Sequence, residues 1–141
     1  MRESLDRYLK ELEKTGLSLL IYSGEKVIFS SARTGMKPLL EAIEALGLKP
    51  LRGAIVADKV VGRAAALLIV YMDVAEVHAG VVSKTAAEVL LSYGLKYYFG
   101  REVESIKSRD GVIICPFERL VQGISDPEEA YKRIRAKMSE F

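Results

Sequence analysis

The chain has 141 residues, half of them hydrophobic, which is one domain with ample material for a packed core and no sign of disorder. Lys and Arg total 21 against 19 Asp and Glu, and a net charge of +2 lacks the basic excess of a nucleic-acid binder, so no nucleic-acid partner is expected. One Cys excludes an internal disulfide, and one Cys with one His cannot build the soft metal sites that need several of them.

Residues 2–14 read as a surface helix with Leu5, Tyr8, Leu9 and Leu12 on one face, ended by Gly16. Leu17–Ser23 and Val27–Ser31 are short apolar runs around the turn Ser23-Gly24-Glu25-Lys26, the pattern of a β-hairpin. Gly35–Leu46 is a helix with Leu39, Leu40, Ile43 and Leu46 as its buried stripe and Gly47 as its cap. Pro50 starts an extended segment that ends in the strand Gly53–Asp58. Gly62 to Met72 is apolar nearly all round. Its run of three Ala favours a buried helix over a strand. Val74–Val82 reads as a strand, Ser83 as an N-cap, Lys84–Tyr93 as a helix capped by Gly94, and Leu95–Phe99 as a strand.

Further on, Glu102–Ile106 and Val112–Cys115 flank a turn at Arg109-Asp110-Gly111. Pro116 opens a helix reaching about Gln122. The last helix starts at Asp126-Pro127-Glu128-Glu129, with acids in its first turn and Arg133, Arg135 and Lys137 toward its end, matching the helix dipole. A hairpin followed by alternating helices and strands predicts a single α/β domain over 1–141. Helices should cover both faces of a mixed sheet, with a right-handed crossover from strand 74–82 to strand 95–99.

The longest unbroken apolar run, Ala64–Met72, has nine residues, far short of the ~20 that cross a bilayer. The charged N-terminus is followed by no apolar signal core, so a cytoplasmic chain without a membrane partner is expected. The absence of Asn and the single Gln, beside abundant charge, follow the thermophile trend.

Three segments carry residues suited to chemistry. In Asp58-Lys59-Val60-Val61-Gly62-Arg63, a strand ends and Gly62 opens a helix. Helix starts present free N–H groups and attract anions, and Lys59 and Arg63 add charge. The structural alternative is that Gly62 allows close helix packing and the charges are solvated. Ser83-Lys84-Thr85 repeats the layout: the two hydroxyls can orient an anion and Lys84 supplies charge, or the segment is an ordinary capped helix. Ligands of open α/β sheets bind outside the carboxyl ends of strands, so the two segments together would form a pocket for an acidic, phosphate-bearing molecule. Asp58 would bond a sugar hydroxyl or an amine.

The third segment runs from Ser108-Arg109-Asp110-Gly111 to Cys115-Pro116-Phe117-Glu118. Arg109 and Glu118 join Asp58, Lys59, Gly62, Arg63, Ser83, Lys84 and Thr85 as candidate ligand-binding positions. Cys115 stands before a helix, where a thiolate is favoured, and Glu118 is placed to reach back to the Cys115 N–H as half of a capping box. Cys115 as nucleophile or Asp58 as acid–base would make a metal-independent enzyme. The alternative is a buried, inert thiol. His78, in an apolar strand, reads as a packed residue. Tyr93, Tyr97 and Tyr98 read as packing residues, with base stacking as the alternative. A structural or interaction module is a further possibility, with the apolar helix 64–72 and strand 74–82 serving a homo-oligomer.

The string Asp58-Lys59-Val60-Val61-Gly62-Arg63-Ala64-Ala65-Ala66, with Cys115-Pro116-Phe117-Glu118 downstream, resembles a small family known as domain of unknown function eighteen ninety-three. The resemblance runs from about Leu17 to about Gly123. It implies a cytidine-deaminase-like fold: a three-layer α/β/α sandwich around a mixed, mostly parallel five-stranded sheet that begins with a β-hairpin. It does not imply deamination. Zinc deaminases carry H-x-E at one helix start and P-C-x-x-C at the next. The matching positions here are Gly62-Arg63-Ala64 and Ser83-Lys84-Thr85-Ala86-Ala87. No zinc and no other cofactor is expected, and the pocket has exchanged metal ligands for cationic residues.

Overall fold

A computed structural model describes residues 6–106 and 115–139. Its first helix, α1 (Arg7–Thr15), starts later than the apolar spacing suggests. Asp6 is extended, and its carboxylate accepts the N–H groups of Tyr8 and Leu9 at 2.9 and 3.1 Å. A residue so placed is an N-cap and not a helix interior, so Asp6 sets the start; residues 2–5 lie outside the described ones. Gly16, in the left-handed region with φ 74°, ends the helix by donating to Leu12.

The hairpin forms as expected from β1 (Leu19–Ser23) and β2 (Lys26–Ser31), followed by α2 (Lys37–Leu46). The extended start expected at Pro50 is instead a short helix, α3 (Leu48–Leu51). Pro50 is its third residue, where an N–H would have no intrahelical partner, so the ring is tolerated. β3 (Ile55–Val61) runs three residues past the strand end expected at Asp58. Then follow α4 (Arg63–Tyr71), β4 (Glu76–Ser83), α5 (Lys84–Ser92) and β5 (Lys96–Val103). β5 runs past the strand end expected at Phe99 and takes in Glu102 and Val103, read as the start of the segment before the next turn. The chain ends with α6 (Pro116–Leu120) and α7 (Pro127–Met138). Asp126 caps α7 through the Glu129 N–H.

The five strands form one sheet in the order β2-β1-β3-β4-β5. β1 is antiparallel to both β2 and β3, while β3, β4 and β5 are parallel. The sheet is therefore mixed: β1 alone runs against the other four strands, so two of the four pairings are antiparallel and two are parallel. Alternation along the strands divides the core. Leu19, Ile21, Val56, Val77 and Ala79 face α2, α4, α5 and α7 in the main cluster. Leu20, Tyr22 and Ala57 face Leu9 and Leu12 of α1 on the other side. α4 is the centre: Ala64 to Ile69 are all buried, which explains its lack of a polar face. The apolar surface of Ala64 to Ile69 is taken up within the chain.

At the carboxyl ends of β3 and β4 the backbones approach closely. A Cβ on Gly80 would lie 2.6 Å from the Lys59 carbonyl oxygen. Gly80→Ala is expected to cost about 1–3 kcal/mol, the range of overpacking, because backbone must yield. Urea unfolding measures it, and an unchanged midpoint with an unchanged slope would contradict this packing.

Candidate functional site

Gly62 precedes α4 and has no side chain with which to cap it. The first N–H groups of the helix would be orphaned inside the protein, and they need an acceptor from elsewhere. Glu118 of α6 supplies it. Its two carboxylate oxygens accept the N–H of Arg63 at 2.8 Å and that of Ala64 at 2.7 Å. These distances are those of charge-assisted bonds, and the carboxylate also meets the positive end of the helix dipole. Glu118 is therefore not half of a local capping box. The Cys115 N–H turns instead to the Ile106 carbonyl at 3.4 Å, and Glu118 caps a helix more than fifty residues away.

Gly62 is glycine for reasons of space. Its φ is −94°, open to any residue, but an added Cβ would lie 2.6 Å from Glu118 Oε1 and 2.8 Å from Ile106 Cγ1. The first and third sequence segments thus meet directly, through Gly62, Arg63, Glu118 and the Cys115–Ile106 pair. The Arg63 guanidinium is also engaged. Nε donates to the Val121 carbonyl at 3.3 Å and a terminal nitrogen donates to the Ile124 carbonyl, so Arg63 satisfies the chain leaving α6. This use of its side chain was not expected.

Ser83 is fully buried and caps α5 by accepting the Ala86 N–H at 3.1 Å, with the Thr85 hydroxyl 3.2 Å from its own. Lys84 is exposed and pairs with Glu104 at 2.8 Å. Glu104 stands two residues before Ile106, whose side chain reaches Gly62. Lys59 is exposed on β3 and does not sit in a turn after the strand, as expected. Arg109 lies outside the described residues.

Asp58 is on β3, beside β1 and β4 in register with Leu19 and Ala79. Some of its surface reaches solvent, but protein atoms surround the carboxyl. Burial pushes it from its ordinary value of 3.8 up to about 7, against the opposing pull of the Val60 and Lys59 N–H groups. Cys115 is half-buried at the start of a five-residue helix. The single imidazole, His78, points to the opposite sheet face, where it bonds Asp6 and Glu76. Sequence reading rightly takes His78 as packed but misses both partners. The Glu76 contact was readable, since residues two apart on a strand share a face. Asp6, 72 residues away, left no local signal.

Two grooves lie away from this site. One is lined by Phe29, Leu40, Ala45 and Met138, the other by Tyr8, Leu20, Tyr22 and Val27. No helix among the described residues is long and apolar enough to cross a membrane.

Two outcomes follow. Gly62→Ala should displace Glu118 and lower stability by about 1–3 kcal/mol in urea unfolding, with wild-type stability contradicting the clash. Asp58 is neutral in the folded state between its ordinary value and about 7, so it favours folding at low pH and loses that contribution as pH rises through about 7. The urea midpoint should fall across that interval in the wild type and fall less in Asp58→Asn. Equal slopes in the two proteins would remove Asp58 as the cause.

Residues 7–138 match the domain of unknown function DUF1893. No protein of curated function matches the chain. Among solved structures, a DUF1893 family protein from Thermotoga maritima, a crystal structure at 2.70 Å resolution, is 38% identical to it. That likeness covers 97% of this chain and 92% of the other, with a TM-score of 0.85. With both its sequence and its fold aligned over nearly their whole length, the chain belongs to the DUF1893 family.

Proposed function

We propose that the chain is a zinc-free, cytidine-deaminase-like domain that binds an anionic, phosphate-bearing and nucleotide-derived small molecule where α4 and α5 begin. One observation carries the reading: the α4 start already holds an anion, the Glu118 carboxylate, on two backbone N–H groups at 2.7 and 2.8 Å. A helix start that accepts a carboxylate in this way offers the same donors to a phosphate oxygen. Glu118 is then the occupant that a ligand displaces. The N–H groups of Arg63 and Ala64 receive the anion, Lys59 and Lys84 supply charge, Ser83 and Thr85 orient it, and Asp58 bonds a sugar hydroxyl or an amine. Arg63 acts through its backbone, because its guanidinium is held by carbonyls.

The deaminase-like reading draws support from the mixed five-stranded sheet beginning in a hairpin, and from two helices that start at the ends of neighbouring parallel strands. A deaminase's zinc does not fit these residues. Gly62-Arg63-Ala64 and Ser83-Lys84-Thr85 offer neither imidazole nor thiolate, and a side chain on Gly62 would collide with Glu118. A catalytic role for Cys115 is the weaker reading, since His78 is engaged on the far face and no imidazole stands near to activate the thiol. A homo-oligomer, if formed, would use surfaces other than α4.

Calorimetric titration of inorganic phosphate, adenosine monophosphate and cytidine monophosphate into wild type and Glu118→Gln tests the proposal. Removing the internal competitor should tighten binding by about tenfold or more. Thermal unfolding establishes that the variant is folded. Absence of binding by every probe in both proteins overturns the reading.

A further inference from the structure

On the sheet face opposite this site, His78 is buried between two carboxylates. Nδ1 lies 2.6 Å from Asp6 Oδ2, and Nε2 lies 2.6 Å from Glu76 Oε2. A neutral imidazole has one N–H and one lone pair, so it can donate to only one of two ionised partners. The other carboxylate oxygen would then face a lone pair at 2.6 Å, which is repulsive. Both contacts become bonds only when the three groups carry a second proton between them, and an imidazolium places it best. The surroundings suit a cation. The ring stacks on Tyr98 with centroids 4.8 Å apart and meets the Tyr8 ring at 4.5 Å.

We infer that the Asp6–His78–Glu76 cluster is a proton-dependent latch that holds α1 on the sheet. Asp6 is the connecting part. One of its oxygens caps α1 through Tyr8 and Leu9, and the other binds His78. Losing the second proton breaks one of the two bonds to the ring and puts a buried charge against a lone pair. The proton leaves to water through Glu76, the only one of the three with a substantially exposed side chain. Released α1 would uncover Leu20, Tyr22 and Ala57, the apolar patch it now covers. The sign follows from linkage: the docked state binds the extra proton, so rising pH favours undocking.

The other groups around the ring do not replace this proton. Ile55 and Ala57 on β3 are apolar, and Tyr8 and Tyr98 meet the imidazole with their ring faces or edges. Lys96 on β5 is opposite Glu76 in register but exposed, and the Arg7 guanidinium sits over the outer side of Tyr8.

Amide hydrogen exchange between about pH 6 and 9, corrected for intrinsic rates, reads the latch directly. The opening constant of α1 should rise by up to about tenfold per pH unit, the limit for one linked proton. Amides of α4, buried on the opposite face of the sheet, serve as the control, because they report opening of the whole domain, to which Asp58 contributes. His78→Gln, which cannot bridge two carboxylates, should weaken α1 protection and make it independent of pH. If that variant does not fold, the wild-type series decides alone. An α1 opening constant that stays flat across the range, or one that only follows α4, overturns the inference.

Discussion

The carboxylate of Glu118 resting on the first two N–H groups of α4 is the contact that joins the ends of this molecule. α4 is the most buried helix, and its start stands at the ends of the parallel strands. Gly62 leaves that start without a cap of its own, and the vacancy is filled from α6. The same contact requires a glycine at position 62, draws Ile106 and Cys115 against β3, and sets Arg63 where its guanidinium closes the chain after α6. A charged acceptor on two backbone donors at a helix start is among the stronger contacts available to a buried carboxylate.

This arrangement changes what the cationic residues do. Arg63 satisfies carbonyls and Lys84 pairs with Glu104, so the charge that sequence spacing assigns to a ligand is balanced within the chain. What the structure shows is a helix start capped by an internal carboxylate, which the proposed reading treats as an anion site. For a ligand to bind there it must replace Glu118, so affinity would be the difference between two similar interactions. Such a site discriminates well against weak anions, since only a ligand with contacts beyond its phosphate gains on exchange. On the proposed reading Asp58, whose carboxyl burial raises to about 7, would add such a contact.

Most of the fold was legible because it rests on local rules. The Ala-rich apolar run announced α4, Asp126 and Pro127 announced α7, and the glycine-centred turn announced the hairpin. Errors fell where tertiary contact overrides local pattern. Lys59 and Val60 fall past the strand end read at Asp58, yet the Lys59 N–H bonds the Ser18 carbonyl and Val60 pairs with Val81 of β4, so the strand continues. Pro50 looks like the start of extended chain but occupies the one turn of helix that does not need its N–H. Asp6 has the composition of a helix interior on a charged face, and only its backbone geometry reveals a cap.

The site was legible as segments and not as contacts. Each segment could be read as a helix start with a polar residue beside it, but the bond from Glu118 to Ala64 spans 54 positions and that from His78 to Asp6 spans 72. No spacing rule reaches so far. The central claim, that the start of α4 is an exchangeable anion site, is tested most directly by following the Arg63 and Ala64 amide resonances while inorganic phosphate is added to the wild-type protein. The account predicts that these two amides shift together and saturate, with the Glu118 side-chain carboxyl resonance shifting in parallel as it leaves. Amides and carboxyl that remain fixed at every phosphate concentration would contradict it.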